Sequence, residues 1–251
     1  MCAKRLQKTK KDLLFWVVLA ALIGTFCYCA YRLGSYYLAD RRSREMAESV
    51  SKYVHVPQTP GLDRESEREQ IQVDFPALRQ VNGDIVAWLY GPGTEISYPV
   101  VQGKDNDQYL YLLPDRTWNV SGSLFLDYRC SPGFSDNISI IYGHHMKTGA
   151  MFGGLVQYKE QSYYKAHPYF YLITPEQKYR VELFAGCVIP SDAELYQSSV
   201  PQEYLQDCIN NSTFIAPVES VPEGPILVLS TCTYEYENAR YAVLGELVSL
   251  E

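Results

Sequence analysis

The sequence predicts a mainly β domain, an eight-stranded closed barrel or sandwich with a few helices, preceded by an N-terminal transmembrane helix. Three observations carry this. Eight runs rich in Ile, Val, Tyr and Phe recur between residues 85 and 248, separated by Gly, Pro and Asn. The 251 residues are 47% apolar and include 22 tyrosines, enough to bury one sizeable core and weighted toward side chains that suit a pleated surface. Leu13 to Tyr31 is a stretch of 19 positions without a charge.

In chain order, residues 1–12 form a basic tail with Lys4, Arg5, Lys8, Lys10 and Lys11. Residues 13–31 form the membrane helix, because at about 1.5 Å per residue such a run spans roughly 28 Å, the thickness of a bilayer's hydrocarbon. The basic tail stays in the cytoplasm by the positive-inside rule, which puts everything after the helix outside the cell. A cleaved signal peptide has a similar start. This run is longer than the usual apolar region of one, and Cys27-Tyr28-Cys29 offers no small-x-small cleavage site. Residues 32–71, dense in mixed charge at Arg41-Arg42-Ser43-Arg44-Glu45 and Asp63 to Glu69, read as a charged, partly helical stalk broken at Pro57 and Pro60-Gly61.

Residues 72–251 are the folded domain. Its strands are expected at Ile85 to Tyr90, Ile96 to Val101, Gly122 to Tyr128, Ile138 to Tyr142, Tyr169 to Thr174, Tyr179 to Ile189, Ile226 to Thr231 and Arg240 to Val248. Helices are expected at Phe75 to Val81, Asn106 to Leu113, Ala150 to Lys165 and Gln202 to Asn210. The domain carries 10 Lys+Arg against 21 Asp+Glu, which argues against a nucleic-acid partner.

The chemistry is carried by Cys232, Arg240 and His144. Cys232 closes the apolar run that begins at Pro225, and Arg240 opens the next one, so a seven-residue connection folds the two into a hairpin with Arg240 beside Cys232. A thiol reacts as thiolate and needs a base or cation held close to it, usually from a distant part of the chain. His144 and His145 follow the run ending Tyr142-Gly143, and alternation along a strand directs only one of the two rings into a site. His144-His145 lacks a third ligand at familiar spacing, and Asp105-Asn106-Asp107 lacks the glycine and glutamate of a calcium loop, so no metal is expected. Four cysteines lie beyond the anchor and allow three pairings, with Cys187 read as a small core residue and Cys130 and Cys208 as free thiols.

Leu229-Ser230-Thr231-Cys232, then Arg240, with Tyr142-Gly143-His144 upstream, resembles the sortases, and the wording is most similar to class B. Ser97-Tyr98-Pro99-Val100-Val101 and His144-His145-Met146-Lys147-Thr148-Gly149 extend the resemblance over roughly residues 72 to 251. The position after the histidine, often Asn in class B, is His145 here. The resemblance implies an eight-stranded barrel and a membrane-anchored cysteine transpeptidase with its catalytic domain outside the cell. In that reading Cys232 attacks the carbonyl of a Thr in the C-terminal sorting motif of a secreted protein, Arg240 steadies the oxyanion and His144 moves the proton. The acyl group then passes to an amine of the peptidoglycan or a pilin lysine, without a cofactor. It further implies that Asn106 and Leu110 line the peptide groove, that Tyr196 touches substrate and that Ser230 is a wall residue. Two other activities share these residues: a thiol hydrolase or peptidase, in which water resolves the acyl-enzyme, and an inactive peptide-binding barrel.

Overall fold

The computed structural model describes residues 2–56, 66, 69–197 and 200–250, with only the backbone for residues 2–12. Pro57 and Pro60-Gly61, read as breaks in the stalk, lie outside the described residues.

The first element is a long helix, α1 (Cys2–Ser51), whose segment from Leu13 is long and apolar enough to cross a membrane, with a mean hydropathy of 2.3 in its most apolar window. A separate compact unit begins at Ser43. In it, Val50 at the end of α1 is buried with Ile71, and β1 (Val54–His55) pairs with β2 (Gln72–Val73). Burying a valine contributes about 1.5–3 kcal/mol.

Helix α2 (Phe75–Val81) starts where Asp74 accepts a hydrogen bond from the Ala77 amide at 3.0 Å and proline occupies the first turn. Its buried face is Phe75 and Leu78. Asn82, just after it, ties the helix to the 103–114 segment: its Nδ2 donates to the Tyr109 hydroxyl oxygen at 2.7 Å and to the Pro114 carbonyl at 2.8 Å.

Eight strands then close a barrel: β3 (Ile85–Tyr90), β4 (Ser97–Val101), β5 (Leu124–Leu126), β6 (Ile138–Tyr142), β7 (Tyr169–Ile173), β8 (Lys178–Pro190), β9 (Ile226–Cys232) and β10 (Ala239–Ser249). Their order around the barrel is β10-β8-β7-β3-β4-β5-β6-β9. Pairs β4/β5 and β6/β9 are parallel and the others antiparallel. This is the mainly β, eight-stranded architecture that the spacing of apolar runs implies. Leu227 and Leu229 of β9 point into the barrel, while Ile226 and Val228 pack outward beneath α4 (Gln202–Asn210). A strand covered on both faces reads as an unbroken apolar run, which is why Ile226 to Leu229 shows no alternation.

Three expectations need correction. Asn106 to Leu113 is a chain of turns, not a helix. The carboxylate of Asp105 takes the amides of Asp107 and Gln108 at 3.1 and 2.8 Å, and the Tyr109 carbonyl accepts from Ser123, so local side-chain and cross-chain bonds displace the helical ladder. Ala150 to Lys165 is not one helix but a 3-10 segment (Gly153–Lys159) followed by α3 (Gln161–Ala166), with extended backbone at Glu160 between them. Strand β5 is three residues long because Gly122, at φ +56°, turns the chain before it and the Cys130 amide closes a turn onto the Asp127 carbonyl after it.

Candidate active site

The hairpin of β9 and β10 sets the first part of the site. Its register places Arg240 directly opposite Cys232, followed by Tyr241 opposite Thr231 and Ala242 opposite Ser230. Directly opposed residues share a face, with Cβ atoms about 4.5–5.5 Å apart. The Thr233 amide bonds the Ala239 carbonyl at 3.1 Å and closes the connection. Within it, Glu235 is bound by Lys159 of the 3-10 segment and by the Thr233 hydroxyl. Desolvation raises the Glu235 carboxyl, but these two partners outweigh it and hold it down at about 2.

Parallel pairing of β6 with β9 brings in the histidine. Tyr142 sits opposite Ser230, the Gly143 amide bonds the Ser230 carbonyl at 3.1 Å, and the Thr231 hydroxyl donates to the Gly143 carbonyl at 2.8 Å. Only glycine fits at 143, because a Cβ there meets Leu124 at 2.4 Å and Phe152 at 2.7 Å. His144 then enters the cleft, its Nε2–H donating to the Leu110 carbonyl at 2.7 Å and its ring 5.9 Å from that of Tyr111. His145 turns elsewhere, but not through strand alternation, since β6 has already ended at Tyr142. Its Nδ1–H donates to the main-chain oxygen of Cys232 at 2.8 Å and its ring lies against Tyr234. His144 thus lines the cleft together with Cys232, while His145 is held on the Cys232 main-chain oxygen.

The cleft holds about 360 Å³, and all seven residues singled out in the sequence line it: Asn106, Leu110, His144, Tyr196, Ser230, Cys232 and Arg240. The Tyr196 hydroxyl shares a 2.8 Å hydrogen bond with Ser230, and burial pushes its pKa up to about 12, so it stays a neutral hydroxyl. Asn106 and Leu110 belong to the turns anchored by Asn82, not to a helix face.

The sequence did not reveal what supports them. Asp127, fully buried at the end of β5, accepts from Arg129 Nε at 2.9 Å, Arg129 Nη2 at 2.7 Å, Asn106 Nδ2 at 3.0 Å and the Tyr142 hydroxyl at 3.1 Å. Desolvation raises its carboxyl, yet the bonds from Arg129 and Asn106 outweigh it and hold Asp127 below the ordinary carboxylate value. Arg129 also donates to the Tyr196 carbonyl at 2.9 Å. One carboxylate therefore fixes Asn106 directly and Tyr196 through Arg129. Asp127-Tyr128-Arg129 following an apolar strand was the available signal, but mixed charge at a strand end is usually solvated, and only the packing shows Asp127 buried.

A Sortase domain model matches residues 89–248. Sortase B of Listeria monocytogenes is 31% identical over 236 residues, covering 91% of this chain and 94% of that protein. The chain belongs to the sortase family. Sortase B of Staphylococcus aureus is 27% identical over 243 residues, covering 93% and 96% of the two chains. Among solved structures, sortase B from B. anthracis superposes with a TM-score of 0.70 at 27% identity, over 85% of this chain and 99% of its own. A Streptococcus pyogenes class B sortase involved in pilus biogenesis gives 0.63 at 33% identity, over 70% and 98%. The solved neighbours are class B sortases, and the family makes this sortase a cysteine transpeptidase.

Proposed function

We propose that Cys232, Arg240 and His144 are the catalytic residues of a membrane-anchored transpeptidase that acts outside the cell on C-terminal sorting motifs. The observation that carries this is the cross-strand pairing of Cys232 with Arg240 in the wall of a cleft that His144 also lines. The Cys232 thiolate adds to the carbonyl of the motif's Thr. The guanidinium of Arg240, opposite it, donates to the oxyanion that forms. The peptide C–N bond breaks as His144 gives a proton to the departing amine, leaving a thioester on Cys232. An acceptor amine of the cell wall or a pilin then attacks the thioester, His144 takes its proton, and the C–S bond breaks to release the Cys232 thiolate as a new amide forms. Because Nε2 of His144 is committed to the Leu110 carbonyl, Nδ1 is the nitrogen that exchanges this proton.

The apolar helix from Leu13 supports the anchor, and the basic residues before it support an orientation with the C-terminus outside. Peptide incubated with and without an added amine tests the reaction by mass spectrometry. A thioester on Cys232 and an amide product that needs the amine are expected. Hydrolysis unaffected by amine would make the chain a thiol hydrolase instead. In cells, loss of covalent wall attachment by particular exported proteins on deletion of this chain would identify its substrates.

A further inference from the structure

Two nucleophilic side chains, Cys187 and Cys208, meet away from the cleft, and the chemistry proposed above uses neither. Cys187 sits on β8 opposite Ala242 of β10, and Cys208 sits in the last turn of α4. Both are buried in the apolar layer where α4 covers the barrel, and both are free thiols. The Cys187 thiol donates to the Cys208 main-chain carbonyl at 3.4 Å. It also reaches the Cys208 side chain, and that hydrogen bond holds the Cys208 thiol below its ordinary value against the opposing effect of burial. The same bond, with burial, pushes Cys187 up. Cys208 is therefore the thiolate of the pair and Cys187 its proton-bearing partner. A cavity of about 190 Å³ is lined by both residues and has the exposed Asp207 and Asn211 on its rim. That is several times the roughly 30 Å³ a water occupies in the liquid, room enough for a small oxidant. The segment between the two cysteines carries Ser191 and Tyr196 of the cleft wall.

We propose that Cys187 and Cys208 form a redox couple, which a small peroxide entering this cavity converts to a disulfide that ties α4 to β8 and closes the segment 188–207 into a ring. The Cys208 thiolate attacks one peroxide oxygen, the O–O bond breaks, and Cys208 becomes a sulfenic acid. The hydroxide released takes up the proton that the thiol had shed. Cys187 sulfur then attacks the Cys208 sulfur, the S–O bond breaks, and the Cys187 proton leaves with the hydroxide as water. In sum, two thiols give up two electrons and hydrogen peroxide is reduced to two waters. An extracellular domain meets such oxidants, whereas cytoplasmic thiols are kept reduced. Neither cysteine lines the cleft, so the couple operates whatever reaction Cys232 performs. A cross-link stabilises mainly by restricting the unfolded chain, and here it also pins both ends of the connection that carries Tyr196.

The test treats the full chain in detergent with graded hydrogen peroxide, caps the remaining thiols with iodoacetamide in denaturant, and cleaves after glutamate. Cleavage after Glu182, Glu194, Glu203 and Glu219 leaves Cys187 and Cys208 on separate peptides, 183–194 and 204–219. Mass spectrometry should find these two peptides joined, and dithiothreitol should part them. The oxidised chain should melt about 5–10 °C above the same sample after dithiothreitol, and Cys208→Ala should lose that difference. Failure of the two peptides to join at any peroxide level up to the one that fully oxidises Cys232 overturns the couple, a result that depends on no variant. Joining of Cys187 or Cys208 to Cys130 or Cys232 instead overturns it as well. Joined peptides without a rise in melting temperature would show that the disulfide pins nothing. A rise retained in Cys208→Ala would assign it to another oxidation and overturn the couple's role.

Discussion

The two sides of the cleft are built by different means. Cys232 and Arg240 face each other across a strand pair whose register runs unbroken from Arg240/Cys232 to Glu246/Ile226. The opposite side, with Asn106, Leu110, Arg129 and Tyr196, comes from connections that own no strand ladder and are fixed by side chains, above all the buried carboxylate of Asp127. The backbone of the barrel holds the proposed chemistry, and individual polar contacts hold the recognition surface. A ladder carries many bonds and tolerates the loss of one, whereas a wall hung on one carboxylate does not. Substrate preference is thus free to change without disturbing the thiol and its partner.

The ladder side should show the largest effects on turnover and the smallest on stability. Cys232→Ala is expected to abolish acyl-enzyme formation while leaving the melting temperature nearly unchanged. Arg240→Lys keeps the charge but loses the planar fork, and should slow acylation by a factor on the order of 10². Near-normal rates for Arg240→Lys would remove Arg240 from the oxyanion role.

The wall side should respond to a change that touches no catalytic atom. Gly122 lies at φ +56°, and a Cβ there meets the Leu110 carbonyl oxygen at 2.4 Å. That same oxygen accepts from His144. Gly122→Ala is therefore expected to cost about 1–3 kcal/mol in stability and to slow turnover about tenfold by shifting the histidine. Chemical denaturation and single-turnover kinetics would measure the two effects. An unaltered turnover rate in a destabilised Gly122→Ala would show that the Leu110 carbonyl does not set the position of His144.

This contrast also explains how much was legible in the sequence. The hairpin was readable because an apolar run, a turn-sized gap and a second apolar run fix a register, and the register fixes which side chains meet. Strand boundaries in β3, β6 and β9 fall within a residue of the expected ones for the same reason. The 106–113 turns were not readable, because one Asp105 oxygen capturing two amides outcompetes a helical pattern that otherwise looks sound. Asp127 stayed hidden because burial of a lone carboxylate depends on partners 2 to 21 residues away. The burial of Val50 was equally hidden in a stretch rich in charge. A chain lacking residues 1–42 is expected to melt like the full domain. One lacking residues 1–71 also loses Val50, β1 and Ile71, and should melt several degrees lower.

The histidine pair gives a smaller effect. His145 donates to the main-chain oxygen of Cys232, so His145→Ala removes a bond at the nucleophile's own backbone and should slow acylation about three- to tenfold. Asn in its place supplies a short amide donor and should recover most of the rate. If His145→Asn were inactive and His144→Ala active, the acid/base assignment would move to His145.

The smallest expected effect concerns acid. The folded pKa of Asp127 lies below its ordinary value of 3.8. A depressed carboxylate contributes stability that is fully present above the ordinary pKa and is lost as pH falls through the lower folded value. The wall should therefore keep its shape across neutral and mildly acid conditions. Peptide affinity of Cys232→Ala, compared with that of the double variant Cys232→Ala/Asp127→Asn, isolates this contribution from that of every group the two proteins share. The ratio of the two affinities should be flat above about pH 4 and close toward one below it, because a protonated Asp127 and an Asn offer Arg129 the same uncharged partner. A ratio that begins to close near about pH 6 would mean that Asp127 titrates with a raised pKa, with desolvation outweighing the bonds from Arg129 and Asn106.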